Sequence, residues 1–219
     1  MRRVVCAAFV SLDGVMQAPG GSEEDPTGGF SYGGWTFPHW DEMMGAAMGE
    51  SFASPFDLLL GRRTWEIFAA HWPYTDDPPA DLFNKVTKYV ATSSTEPLAW
   101  QNSVRLEGDV AAAVARLKQG DGPDLLTQGS SVLVQSLLAA GLVDELNLLI
   151  FPVLLGRGKK LFGEAARPGE LELVSSRTAT TGVIIARYRP AGPIRTGSFQ
   201  LADPSPAEIA RRARMKQEG

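Results

Sequence analysis

The chain has 219 residues, 44% hydrophobic and 21% charged, with a formal net charge of -4, two histidines and one cysteine. That length suits one sizeable domain with an added terminal segment, able to bury roughly 70% of its unfolded surface without a staple. The acidic balance argues against nonspecific nucleic-acid binding, lone Cys6 excludes an internal disulfide, and Cys6 with His39 and His71 cannot build a Cys/His zinc site, so no metal is expected beyond what oxygen ligands could hold.

The N-terminus lacks an apolar stretch of signal length, and no run is long enough to span a bilayer, so a cytoplasmic protein without membrane contact is expected. Val4–Val10 is the first strand-like run and holds Cys6 as a buried structural thiol. Residues 17–40 form the longest loop; five aromatics (Phe30, Tyr32, Trp35, Phe37, Trp40) and three Gly-Gly pairs make it a lid or pocket wall for a flat ligand, with a packed structural loop as the other reading. A helix is expected over Asp41–Phe52, a strand over Phe56–Leu60, a helix over Thr64–Ala70 and a strand over Tyr89–Thr92. Helix Asp109–Lys118, strand Leu125–Thr127 and helix Ser131–Ala140 follow, the last stopped by Gly141; strands Leu146–Val153 and Val183–Tyr188 close the pattern. Such alternation implies crossover units and an α/β fold with a largely parallel sheet. Composition shifts after Arg189, so residues 1–189 read as the domain and 190–219 as a Pro/Gly-rich extension with a short helix over Ala207–Lys216.

Three strand ends carry anion-binding chemistry. In FDLLLGRRTWEIF, Gly61 ends a strand buried on both faces, and Arg62, Arg63 and Thr64 stand where a helix begins. Free N–H groups and the positive helix end favour a phosphate there, and two guanidinium forks add to it; solvation of a loop is the alternative. In VATSSTEP, Ser93 and Ser94 end a strand in the crevice where open α/β sheets bind ligands, though Ser-Ser-Thr is also turn chemistry. In LLTQGSSVLVQSLL, Gly129, Ser130 and Ser131 link a strand to a helix, as a pyrophosphate turn or a simple N-cap.

GRRTW, the strand-ending SS and QGSSVLVQSLL occur in the order found in dihydrofolate reductase-like proteins. CAAFVSLDGVM and VDELNLLIFPVLLGRGKKLF are more similar to the reductase domain of bacterial riboflavin-biosynthesis deaminase-reductases and its stand-alone relatives; the resemblance covers about residues 3–189. It implies a three-layer fold with a mostly parallel central sheet flanked by helices, NADPH as hydride donor, a small pyrimidine- or pteridine-type substrate and a homodimer. It also implies that Gly61 belongs to the cofactor site, that Arg62 faces the adenosine 2′-phosphate, with Arg63 and Thr64 near the pyrophosphate, Ser93 and Ser94 on the adenosine side, and Gly129, Ser130 and Ser131 at the pyrophosphate turn. The paired arginines favour the extra phosphate of NADPH over NADH, a flavin or a deazaflavin. Gln128 stands where many relatives have a second glycine.

With hydride from the cofactor, the protein need supply only orientation, water exclusion and one proton. Asp13 in SLDGVM matches the family's acidic position at the pocket mouth, with a turn residue as the alternative; Asp41 is the positional candidate for the carboxylate of dihydrofolate reductases, with an N-cap as the alternative. Trp65 is expected in the core, and Lys159 and Lys160 in solvent. Dihydrofolate reduction and a non-catalytic nucleotide-binding dimeric scaffold are the competing functions, and the H-x-E and C-x-x-C signatures of the deaminase are absent from the sequence.

Overall fold

A computed structural model describes residues 1–163 and 166–218. In chain order its elements are β1 (Val4–Ser11), α1 (Glu42–Ser51), β2 (Phe56–Gly61), α2 (Arg62–Ala69), α3 (Ala80–Lys85), β3 (Lys88–Ala91), β4 (Ser103–Arg105), α4 (Val110–Gln119), β5 (Asp124–Gln128), α5 (Ser131–Ala139), β6 (Glu145–Phe151), β7 (Glu170–Thr178), β8 (Ile184–Gly192) and α6 (Pro206–Glu218). The strands form one eight-stranded sheet in the order β4-β3-β2-β5-β1-β6-β8-β7. The first six of that order run parallel, and β8 and β7 add an antiparallel edge.

Crossover helices cover both faces, which is why the central strands read as continuous apolar runs rather than alternating ones. The first five residues of β2 are buried throughout. On one face Val4, Cys6, Ala8 and Val10 of β1 pack with Val114 of α4 and Leu133, Val134 and Leu137 of α5. On the other, Val5 joins Trp65 of α2 and Phe83 of α3, while Met44 and Ala47 of α1 meet Leu149, Phe151 and Ile185. Burial pushes the Cys6 thiol up to about 12, as suits a structural cysteine.

Local chemistry sets the helix ends. Asp41 caps α1 by accepting from Met44 N at 3.1 Å, and Asp109 caps α4 through Ala112 N at 2.8 Å. Gly141 (φ 67°) stops α5 in a Schellman turn, its N–H reaching Leu138 O while Leu142 N reaches Leu137 O.

The parallel sheet and the helices named from the sequence are present, with shifted ends. β6 stops at Phe151, two residues before the expected Val153, because Pro152 has no N–H for the ladder. β3 begins one residue early at Lys88, a wholly buried lysine whose ammonium donates to Asn84 O and Val86 O and lies 4.3 Å from the Trp100 ring centroid. Three elements carried no usable pattern. β4 has three residues, α3 has six, and β7 is exposed along nearly its whole length, so no burial alternation marks it. The terminal helix runs over Pro206–Glu218, longer than expected at both ends, with no buried residue.

Candidate functional site

A cleft of about 1980 Å³ opens at the C-terminal ends of β1, β2, β3 and β5, walled by the 17–25 part of the long loop and by α1. β2 and β5 are neighbours, so the N-termini of α2 and α5 face it side by side. One side chain joins them. Ser130 Oγ accepts from Gly61 N at 2.8 Å and donates to Thr64 Oγ1 at 2.8 Å. To do so Ser130 adopts a left-handed backbone (φ 67°, ψ 61°) after Gly129 at φ 86°. A non-glycine residue is rarely held there unless its surroundings over-determine it. Ser130 is thus a bracket between the helix starts, and neither it nor Ser131 caps α5 with its side chain.

Arg62 lies against the Trp65 ring, its guanidinium carbon 5.0 Å from the centroid, and its Nε donates to Glu66 Oε1 at 2.6 Å. Its Nη1 is buried without a partner. A guanidinium anchored at one side and orphaned at the other, on the wall of a cleft, is poised for an anion. Trp65 is in the core, as expected, and donates to Ser103 Oγ at 2.8 Å.

Gly61, Arg62, Arg63, Thr64, Ser93, Gly129, Ser130 and Ser131 come together on this cleft. Ser94 does not. It is half-buried, its hydroxyl accepting from Glu96 N at 3.2 Å in the turn, and Thr92 lines the cleft beside Ser93 instead.

The long loop is part wall, part core. Phe30 and Trp35 are buried in the cluster beneath α1, whereas Phe37 and Trp40 line the cleft with 82% and 46% exposure and Tyr32 stays outside it. The loop folds back so tightly at Gly33 that a Cβ there would lie 2.4 Å from Gly21 O. It is tied to the body by Asp25, which receives Lys159 Nζ and, at 3.0 Å, Arg63 Nη1. Thr27 Oγ1 accepts from both cations, at 2.7 Å from Arg63 and 3.0 Å from Lys159. Gln17 reaches the Asp25 and Thr27 carbonyls at 2.9 Å each. Burial alone would raise the Asp25 carboxyl, yet Lys159, Thr27 and Arg63 bring it down to about 2. Lys159 is therefore not the solvated residue expected from sequence; Lys160 is exposed.

Neither expected catalytic carboxylate borders the cleft. Asp13 accepts from Ser11 Oγ at 2.6 Å, Leu155 N at 3.1 Å and Gly156 N at 2.7 Å, tying the β1 turn to the segment after β6. Those bonds, the Ser11 hydroxyl foremost, hold its carboxyl below the ordinary range. Besides capping α1, Asp41 accepts from Thr180 N and Oγ1 at 2.9 and 2.7 Å, and the Thr180 hydroxyl chiefly lowers its carboxyl. Both carboxylates carry the alternative readings, turn and cap. Sequence reasoning missed Asn147, whose only signal is a polar residue inside the apolar run LNLLIF; it lies on the cleft floor with a buried, unpartnered Oδ1.

The chain is 27% identical over 197 residues to the uncharacterized protein YyaP of Bacillus subtilis (strain 168), covering 85% of this chain and 94% of that protein. It is 28% identical over 184 residues to the uncharacterized protein YwjB of the same strain, covering 80% and 91%. Among solved structures, the "Putative riboflavin biosynthesis protein" of Shewanella sp. PV-4 superposes with a TM-score of 0.61 at 21% identity, over 86% of this chain and 99% of that one. Dihydrofolate reductase from Enterococcus faecalis, complexed with NADP(H) and RAB-propyl, gives 0.55 at 17% identity, over 86% and 96%. The fold is dihydrofolate reductase-like. The model of the RibD C-terminal domain matches residues 2–185, and the chain belongs to the RibD C-terminal domain family.

Proposed function

We propose that this chain is an NADPH-dependent oxidoreductase that delivers hydride to a small heterocyclic substrate of pyrimidine or pteridine type, as in the reductase step of riboflavin biosynthesis. The observation that carries the reading is the pairing of two helix N-termini through Ser130 beside the orphaned Nη1 of Arg62. Backbone N–H groups, a hydroxyl bracket and a guanidinium with one unpartnered nitrogen suit a dinucleotide with an additional phosphate. Family membership and a fold shared with an NADP(H)-binding reductase support it.

NADPH, when bound, supplies the hydride. Arg62 would hold the 2′-phosphate, the α2 and α5 starts with Thr64, Gly129, Ser130 and Ser131 the pyrophosphate, and Thr92 and Ser93 the adenosine side. Arg63 acts on the loop through Asp25 and Thr27. Phe37 and Trp40 give the mouth an aromatic rim that narrows solvent access over a flat substrate. Dihydrofolate reduction fits less well, because the carboxylate of Asp41 serves α1 and Thr180 rather than the cleft. A homodimer belongs to the same reading, supported by exposed Leu171, Leu173 and Val174 on β7 and Ile184 on β8.

Titration calorimetry with NADPH and NADH tests the cofactor. Wild type is expected to prefer NADPH, and Arg62→Ala to lose about 1.5–3 kcal/mol toward NADPH alone, roughly ten- to a hundredfold. Equal binding of both nucleotides, or a mutant that keeps the preference, would overturn the assignment.

A further inference from the structure

Reduction by hydride leaves a proton to be placed. When hydride adds to the carbon of a ring C=N bond, the electron pair of that bond moves to nitrogen, which must then take a proton. Neither Asp13 nor Asp41 can give it, because both stand off the cleft and spend their oxygens on hydrogen bonds.

Besides the two arginines, the charged or titratable side chains lining the cleft are Glu23, Glu24, Asp25, His71, Asp77 and Lys159. Asp25 and Lys159 neutralise one another, and Arg63 joins them. His71 and Asp77 stand 3.8 Å apart with 56% and 63% of their side chains exposed, in free exchange with water. Glu23 is exposed. Glu24 remains, and it is half-buried. Its Oε2 accepts from Gly20 N at 2.6 Å, while Oε1 has no partner among the described residues and keeps accessible surface. Burial raises the Glu24 carboxyl above its ordinary 4.5, and the adjacent Asp25 charge adds to the rise against the pull of the Gly20 and Gly21 N–H groups. The cations that reach this part of the loop, Lys159 and Arg63, give their hydrogen bonds to Asp25 and Thr27 rather than to Glu24.

Its place on the wall is fixed through its neighbour. Asp25 is held by Arg63 from the first turn of α2, and Gln17 donates to the Asp25 and Thr27 carbonyls at 2.9 Å each. Glu24 is thereby kept on the cleft wall one residue from the side chain that joins the loop to the anion-binding helix start.

We propose that Glu24 is the catalytic acid of this site, giving its carboxyl proton to the nitrogen of a ring C=N bond as hydride reaches the adjacent carbon. The step rests on the reductase reading for its hydride: NADPH becomes NADP+, the C=N bond becomes CH–NH, and the Glu24 carboxylate recovers a proton from water. Asp25, by holding the loop, is a positioning residue for it.

The experiment follows single-turnover oxidation of bound NADPH by dihydrobiopterin, a pteridine that carries such a C=N bond, across the titration of Glu24 in wild type and Glu24→Gln. Wild type is expected to lose rate as pH rises through that titration, since only the protonated acid can donate. Glu24→Gln, whose amide oxygen keeps the Gly20 bond, is expected to be slower by about a hundredfold or more, to lack that pH limb and to keep NADPH affinity within about twofold. A second measurement needs neither turnover nor a mutated acid: the isotope-labelled Glu24 carboxyl is expected to titrate above 4.5 in the wild-type protein. A variant that keeps the wild-type rate or its pH limb, a carboxyl that titrates at or below 4.5, or a wild type that binds NADPH yet leaves dihydrobiopterin unreduced would each overturn the assignment. Failure of wild type to bind NADPH would remove the reductase reading and this step with it, an outcome that calorimetry tells apart from the other three.

Discussion

Asp13 shows how a residue that looks chemical in sequence becomes structural in three dimensions. Its carboxylate meets a hydroxyl and two backbone N–H groups, and it stands outside the cleft. Replacing it with alanine leaves the Leu155 and Gly156 N–H groups without that acceptor, at a cost of about 1 kcal/mol. Urea unfolding of Asp13→Ala should show a lower midpoint, while NADPH affinity stays within twofold of wild type. A loss of hydride transfer without loss of stability would return Asp13 to the chemistry. Asp41 poses the same question at the start of α1, since capping α1 and holding Thr180 use both its oxygens.

At the scale of elements, the long loop is clasped rather than free. Lys159 from the segment after β6 and Arg63 from α2 converge on Asp25. Because the Asp25 carboxyl titrates near 2 in the folded chain against an ordinary 3.8, its ionisation stabilises the closed loop above about pH 4 and that contribution fades as pH falls toward 2. Asp25 is 7% exposed, so the contribution is about 1–2 kcal/mol. Limited proteolysis of residues 17–40 at neutral pH is expected to be faster in Asp25→Asn than in wild type. Acid titration followed by the fluorescence of buried Trp35 should lose this transition in the variant. Identical profiles for the two proteins would show that the clasp does not hold the loop.

For the molecule as a whole, the antiparallel edge at β7 is exposed along nearly its whole length. Leu171, Leu173 and Val174 on β7 are 45%, 51% and 37% exposed. Apolar residues on an edge strand favour association with a second sheet or a second copy. Sedimentation at micromolar concentration is expected to give a dimer, and Leu173→Lys a monomer with unchanged secondary structure. A monomeric wild type would remove the dimer from the proposed function. Among the described residues no helix is long and apolar enough to cross a membrane.

The α/β alternation and, to within a residue, the ends of α1, α4 and α5 were legible in sequence because each rests on local rules: buried parallel strands are apolar throughout, and caps need Asp or Gly. Cofactor candidates spaced across 70 residues, from Gly61 to Ser131, meet because β2 and β5 are neighbours. That neighbourhood is a matter of topology, which no local spacing encodes. The same limit hid the Asp25 clasp, whose partners lie 38 and 134 residues away. The sequence by itself determined which residues could hold an anion or pack a core, since propensity and polarity belong to the residue; only the tertiary structure decided which carboxylates are structural and which amides are left unpaired, because hydrogen-bond satisfaction depends on what the fold brings alongside.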